Sequence, residues 1–425
     1  MKSVIQSLKG TRDFYPEVMA VRNWLYKTLA EVSTSFGYQE YDGPFLESID
    51  LYAAKSGEEL VKEQSFVFPD RGGDLITLRP ELTPSLARMI AQRQGQLVFP
   101  LRWWSWGPFW RYERPQKGRT REFFQWNADL IGVDTPEADA ENIALVASFF
   151  LRVGLTPDDV VILVNNRLLL DSQLTAAGIL VEQKPMVSRW IDRRDKLSNA
   201  DWEAYGGEIG LSPAQIDAMQ VMLANQDLWQ QSEQLVRLFA AAQAMGISAY
   251  LRYDPGIVRG LDYYTGTVFE AKEARGEIRR SILGGGRYDN LLADVGGDPL
   301  PATGFAMGDV VISLILESRG LVPARVGSYP APVLVTVFDR ERLSASIALA
   351  AALRQAGINT NLYPEIAKLP KQFKYADRLG IRLAAVIGPD EAAQGVVTVK
   401  NLADGSQTTV RLDQAPAAIL TLLSI

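Results

Sequence analysis

Apolar and polar positions alternate most informatively between Trp103 and Gly132, where two aromatic-rich runs flank a segment carrying Pro115 and Gly118. The pattern predicts an antiparallel hairpin with a long loop. Side chains two apart share one face of a strand. Gln125, Asn127 and Asp129 therefore line up together, while Phe124, Trp126, Ala128 and Leu130 point the other way. The result is a polar row on a strand that otherwise reads as buried. On the first run Arg111 and Glu113 share a face, and Arg114, Lys117, Arg119 and Arg121 follow in the loop. A surface hairpin with one wet face would carry these residues. So would a site for a small polar ligand and a phosphate, since arginine offers a planar fork to phosphate oxygens and amides and carboxylates discriminate by hydrogen-bond pattern.

Upstream, Val18, Val21, Leu25, Leu29, Val32 and Phe36 recur at helical spacing and stop at Gly37, and a short strand ending at Pro44 follows. Residues 65–69 and 75–79 form a second hairpin around the turn 71–74. Thr83 before Pro84 marks a helix start, with Glu81 just ahead of it. A helix over about 137–153 and the strand VVILVNN come next. Residues 165–247 carry helical periodicity with polar breaks and little strand signal, which predicts a helical insertion in a β-containing domain. The strand type returns with Arg259 and Gly260 in a turn before a β-like run holding Tyr263 and Tyr264. Gly284, Gly285 and Gly286, followed by Arg287, Tyr288 and Asp289, lack the third glycine and the strand–helix setting of a dinucleotide fingerprint. They mark a tight bend or a place where a ligand approaches the backbone. Gly304 to Glu317 reads as a strand or turn running into a buried helix. The proline-rich stretch from Leu321 to Val333 is the best linker. Strands and helices alternate beyond it, as in a compact α/β module over 331–425, leaving 1–325 as the larger domain.

The chain has 425 residues, 47% hydrophobic and 22% charged, as in ordinary globular proteins. No apolar run approaches the ~18 residues of a membrane span, and the first ten residues lack a signal-peptide core, so a cytoplasmic protein without membrane contact is expected. With no cysteine, disulfides and thiolate zinc sites are excluded. With no histidine, the commonest general base and every Ser–His or Cys–His pairing are gone as well. No resident metal is expected, and catalysis must rest on carboxylates, Arg, Lys, Tyr, amides, backbone groups or the substrate's own phosphates. The net charge of −6 argues against indiscriminate nucleic-acid coating. Residues 331–425 hold ten Lys and Arg against eight Asp and Glu, so a nucleic-acid partner would be met there and at the 111–121 loop.

Taken together, these segments resemble class II aminoacyl-tRNA synthetases, and most closely the histidyl-tRNA synthetase family. KGTRDFYP (Lys9 to Pro16) resembles that family's N-terminal signature, and the helix ending in the Pro44 strand resembles motif 1, which implies a homodimer. WRYERPQKGRTREFFQ resembles motif 2, VRGLDYYTGTVFE and GGGRYDNL the two histidine-specific motifs, and the tail the anticodon-binding domain. The resemblance implies an α/β (α+β) fold. It consists of an antiparallel-sheet catalytic domain with a helical insertion and a C-terminal α/β anticodon-binding domain. It also implies a ligase that joins histidine to tRNA(His) with ATP as substrate and Mg2+ accompanying the ATP. By resemblance Glu81, Thr83 and Gln125 hold the α-amino end of histidine, and Asp129, Tyr263, Tyr264 and Tyr288 surround the imidazole. Arg111 holds the ATP α-phosphate, Glu113 the adenine end, Arg119 or Arg121 the outer phosphates, and Arg259 neutralises the α-phosphate during attack. Two positions depart from the family: Phe124 where histidine is frequent, and Val311 where motif 3 supplies an arginine for the γ-phosphate. Some relatives are instead regulatory subunits of ATP phosphoribosyltransferase that bind histidine. These usually lack the tail and parts of motif 2, whereas this chain keeps the tail, Arg111, Glu113 and Arg259.

Overall fold

The computed structural model describes residues 4–53, 60–116, 118–258, 264–278, 280–290 and 292–424. Lys117, Arg259, Gly260 and Tyr263 lie outside the described residues. The chain divides into two compact units, Met1–Pro323 and Ala324–Ile425.

The first unit is built on a sheet that has eight strands among the described residues: β1 (Gln39–Glu40), β2 (Leu101–Trp110), β3 (Glu122–Ile131), β4 (Val160–Asn166), β5 (Leu251–Tyr253), β6 (Thr267–Glu273), β7 (Leu283–Tyr288) and β8 (Ala302–Gly308). Their order is β1-β2-β3-β8-β7-β6-β4-β5. The pairs β1/β2 and β4/β5 are parallel and the others antiparallel. One face is covered by α1 (Pro16–Ser35), α2 (Pro136–Arg152) and α3 (Asp309–Ser318), whose Leu25, Leu29, Ile143, Phe149, Ile312 and Ile315 share a core with Trp126, Ala128, Phe269 and Phe305 of the sheet. The helical stripe of α1 is buried only from Leu25 onward; Val18 is 44% exposed. α2 starts where the Thr135 hydroxyl accepts from Ala138 N–H and Pro136 occupies the first turn, as N-terminal capping requires.

Three local expectations shift. The strand expected to reach Pro44 is β1 alone, with Leu46–Ser48 joining a separate three-stranded sheet beside Leu75–Leu78 and Phe66–Pro69. The helix Thr83–Arg93 begins at Thr83 with Leu82 as its N-cap, so the Thr83 hydroxyl does not serve as the cap. Gly284–Gly286 run within β7 rather than turning, and no Cβ fits at Gly285, where it would stand 2.4 Å from Phe269 and 2.6 Å from Phe305. The insertion consists of the helices Arg167–Ala176, Lys184–Ile191, Asn199–Glu208, Pro213–Ala224 and Glu233–Ala244, with Trp190 and Trp202 stacked 3.8 Å apart in its core.

In the second unit the strands Val333–Val335, Thr360–Leu362 and Leu383–Val386 are parallel. Val396–Asn401 and Gln407–Arg411 extend the sheet as an antiparallel hairpin, and a helix, Ala415–Ser424, ends the chain.

Gly285→Ala should lower stability by about 1–3 kcal/mol or more, because the methyl group must displace the Phe269 ring, the Phe305 Cβ and the Gly304 carbonyl in a close-packed sheet. Urea unfolding of the two proteins measures the difference.

Candidate active site

Residues directly opposite one another in paired strands point to the same face. Gln125, Asn127 and Asp129 of β3 pair with Gly308, Ala306 and Gly304 of β8, so small residues flank the polar row and leave room above it. Gly304 is a strict requirement: a Cβ there would stand 1.9 Å from Asp129 Oδ1. The intervening side chains Trp126, Ala128 and Leu130 enter the helix-covered core, as the alternation predicts.

Asp129 ends the row and is 5% exposed. Its Oδ1 accepts a 2.5 Å hydrogen bond from the Tyr288 hydroxyl of β7. Burial pushes the Asp129 carboxyl up to about 7, and the hydrogen bond from Tyr288 opposes that rise. Beside it the Tyr264 phenol is held above its ordinary value, mainly by burial and next by the negative fields of Asp129 and Glu81. Glu81, itself buried, and Thr83 reach the same space from the start of the Thr83–Arg93 helix.

At the other end of the row, Arg111 Nε donates to the Pro80 carbonyl at 2.9 Å, and the guanidinium lies 5.5 Å over the Phe123 ring. These contacts fix the plane of the fork. Glu113 forms an ion pair with Arg119 at 2.7 Å. Arg121 is occupied elsewhere: Nε donates to Glu113 O, Nη1 to Lys9 O, and the fork stacks 4.2 Å over Tyr112. It ties the N-terminal segment to the hairpin.

A cleft of about 1870 Å³ collects Glu81, Thr83, Arg111, Gln125, Asp129, Tyr264 and Tyr288, with the helical insertion forming its opposite wall through Arg189, Arg193 and Lys196. Glu113, Arg119 and Arg121 stand outside that lining, at the hairpin loop, and Arg259 and Tyr263 fall outside the described residues. Asn127, in the polar row that the strand alternation predicts, lines the cleft too, as do Arg167 and Glu270, which belong to no motif of the sequence. The Nδ2 of Asn127 has no hydrogen-bond partner among the described residues, which leaves an N–H to donate at the cleft. Arg167, which donates to the Tyr264 carbonyl at 3.1 Å, and Glu270 carry no pattern that would single them out. Among the described residues no three His, Cys, Asp or Glu side chains gather as a metal site, and no helix is long and apolar enough to cross a membrane.

The family model described as histidyl-tRNA synthetase matches residues 10–309, and that of an anticodon binding domain matches 333–422. The chain belongs to the histidyl-tRNA synthetase family. Among its relatives are the histidine–tRNA ligase of Opitutus terrae, 37% identical over 99% of both chains, and the chloroplastic/mitochondrial histidine–tRNA ligase of Arabidopsis thaliana, 39% identical over 95% of this chain and 84% of that one. A crystal structure of histidyl-tRNA synthetase from Nostoc sp. PCC 7120 superposes with a TM-score of 0.83 at 26% identity, covering 97% of this chain and 98% of the other. The strands of the large sheet all lie within the residues matched by the histidyl-tRNA synthetase model.

A carboxyl titrating near 7 would make the binding of any ligand that it contacts depend on pH. Below about pH 7 Asp129 is protonated and loses one acceptor, so the KM for histidine should rise as pH falls from 8 to 6; Asp129→Asn should flatten the part of that profile that the substrate's own ring does not cause. The linked stability has the opposite sense. A folded-state pKa raised above the ordinary 3.8 contributes stability at low pH that is lost as pH rises through about 7. Asp129→Asn should therefore raise the melting temperature more at pH 8 than at pH 4, as thermal unfolding at the two pH values would show.

Proposed function

We propose that this chain activates histidine with MgATP to histidyl-adenylate and transfers the histidyl group to tRNA(His). The observation that carries this reading is the polar row: a fixed arginine fork at one end and a buried carboxyl at the other, joined by amides across a floor of small side chains.

In the first step a carboxylate oxygen of histidine attacks the α-phosphorus of ATP. A new P–O bond forms, the bond to the β-phosphate breaks, and pyrophosphate leaves. Arg111, aligned by Pro80 and Phe123, offers the fork that offsets charge growing on the α-phosphate oxygens. Arg259 is assigned to the same phosphate by resemblance. Gln125 and Glu81 serve the α-amino group, and Asp129 accepts from an imidazole N–H while Tyr288 and Tyr264 border the ring. Magnesium enters as part of the MgATP substrate. In the second step a terminal ribose hydroxyl of the tRNA attacks the adenylate carbonyl, a phosphate oxygen takes the proton, and AMP leaves. Alignment and charge stabilisation suffice, so neither histidine nor cysteine is required of the protein. The tail unit would read the tRNA, and the working form would be a cytoplasmic homodimer. The names of the relatives favour the ligase over the regulatory-subunit reading.

Purified protein should catalyse histidine-dependent exchange of pyrophosphate into ATP and then charge tRNA(His). Arg111→Ala should slow exchange by about 10²–10³-fold with little change in melting temperature. Histidine binding without any exchange in the unaltered protein would instead support the regulatory reading.

A further inference from the structure

The helix α3 brings Val311 to the phosphate end of the site, a buried isopropyl group with no charge to offer. A triphosphate extending beyond Arg111 nevertheless needs cations along its length. Arg121 is committed to Lys9 and Tyr112, and Arg119 is paired with Glu113. Arg280 stands at the same place. It precedes Ser281, which lines the cleft, in the connection between β6 and β7. A Cβ at Gly118, in the tight turn that Gln116 and Arg119 close with mutual backbone hydrogen bonds, would lie 3.0 Å from Arg280 Cδ, 3.6 Å from its Nε and 3.8 Å from Val311 Cγ2. One point on the motif 2 loop is thus shared by Arg280 and Val311. Arg280 is half-buried and has neither an ion pair nor a hydrogen bond among the described residues, while Arg111, Arg119 and Arg121 each have one. Burial, and then the neighbouring Arg119, hold its pKa below the ordinary arginine value, with Glu113 opposing. Two guanidiniums brought together in partly dry surroundings repel unless an anion lies between them.

We infer that Arg280 is the cation that receives the outer phosphates of MgATP in this chain, in place of the side chain that α3 does not supply at Val311. The inference rests on the adenylating reading of the site and adds a residue to it. A guanidinium approaching from the β6–β7 connection reaches over the Gly118 turn, whose lack of a side chain leaves the passage open.

Titration calorimetry on the full chain with MgATP and with AMP separates outer-phosphate contacts from the rest. Arg280→Ala should weaken MgATP by about 10- to 100-fold, the worth of a charged hydrogen bond or two, and leave AMP and the KM for histidine unchanged. Arg280→Lys, which keeps the charge without the fork, should lose less. Adding Val311→Arg to Arg280→Ala should restore most of the ATP affinity, which a merely structural role for Arg280 would not allow. Equal losses for ATP and AMP, or no loss, would overturn the inference. If the unaltered protein shows no exchange yet prefers ATP over AMP through Arg280, the adenylating reading fails and the phosphate contact stands. If it exchanges normally and Arg280→Ala keeps its KM for ATP, only the phosphate contact fails.

Discussion

The fork between Arg287 and Asp139 holds the site in register. Arg287 is 4% exposed and Asp139 2%, and the guanidinium donates from Nη2 at 2.7 Å and from Nε at 3.3 Å to the two carboxylate oxygens, and from Nη1 and Nη2 to the carbonyls of Val133 and Thr135. It locks β7 onto the first turn of α2. Side chains alternate along a strand, so with Arg287 directed at the helix its neighbour Tyr288 is directed at the cleft, where it meets Asp129. A slip of one residue would exchange the two and place a cation, in place of the Tyr288 phenol, against the Asp129 carboxyl. Breaking such a buried pair by removing one partner costs about 3–5 kcal/mol, far more than an exposed pair contributes. The strand that carries the glycines therefore has one register available to it.

Much of this arrangement could be read from the chain. The alternation from Phe124 to Leu130 divides core from cleft because β3 is covered on one face and lined on the other. The insertion announced itself because helices that bury one stripe must repeat every three to four residues. What escaped has physical reasons. Thr83 has the composition of a cap, but Leu82 takes that position and the hydroxyl is left to the cleft. The hairpin strand Gln407–Arg411 is exposed at four of its five positions, so no apolar alternation marks it. Arg119 and Arg121 are two residues apart and look equivalent in sequence; only the backbone carbonyls of Lys9 and Glu113 decide that Arg121 is used for anchoring. Arg280 sits in no motif, and its relevance comes from a loop that the fold lays beside Gly118.

A protein without histidine lacks the side chain that ordinarily titrates near neutrality. Burial of Asp129 supplies a substitute: a carboxyl moved into the range where imidazole itself changes charge. Desolvation sets that value and the Tyr288 hydroxyl restrains it, so both depend on the register that Arg287 fixes.

Gly286 and Gly304 face each other across β7 and β8, and neither tolerates even a methyl group: one would strike the Thr267 carbonyl at 2.6 Å, the other the Asp129 carboxylate at 1.9 Å. At Gly304, which lines the cleft, main chain thus forms part of the floor, and at Gly286 it lies against the Tyr264 ring; main chain cannot be revised by point substitution. Drift at these two positions is closed, so any lineage or library that sets out to change what the cleft accepts must work through its walls, at Glu81, Asn127, Asp129 and the two tyrosines. The floor then acts as a fixed datum, and a redesigned ligand must be shaped to it.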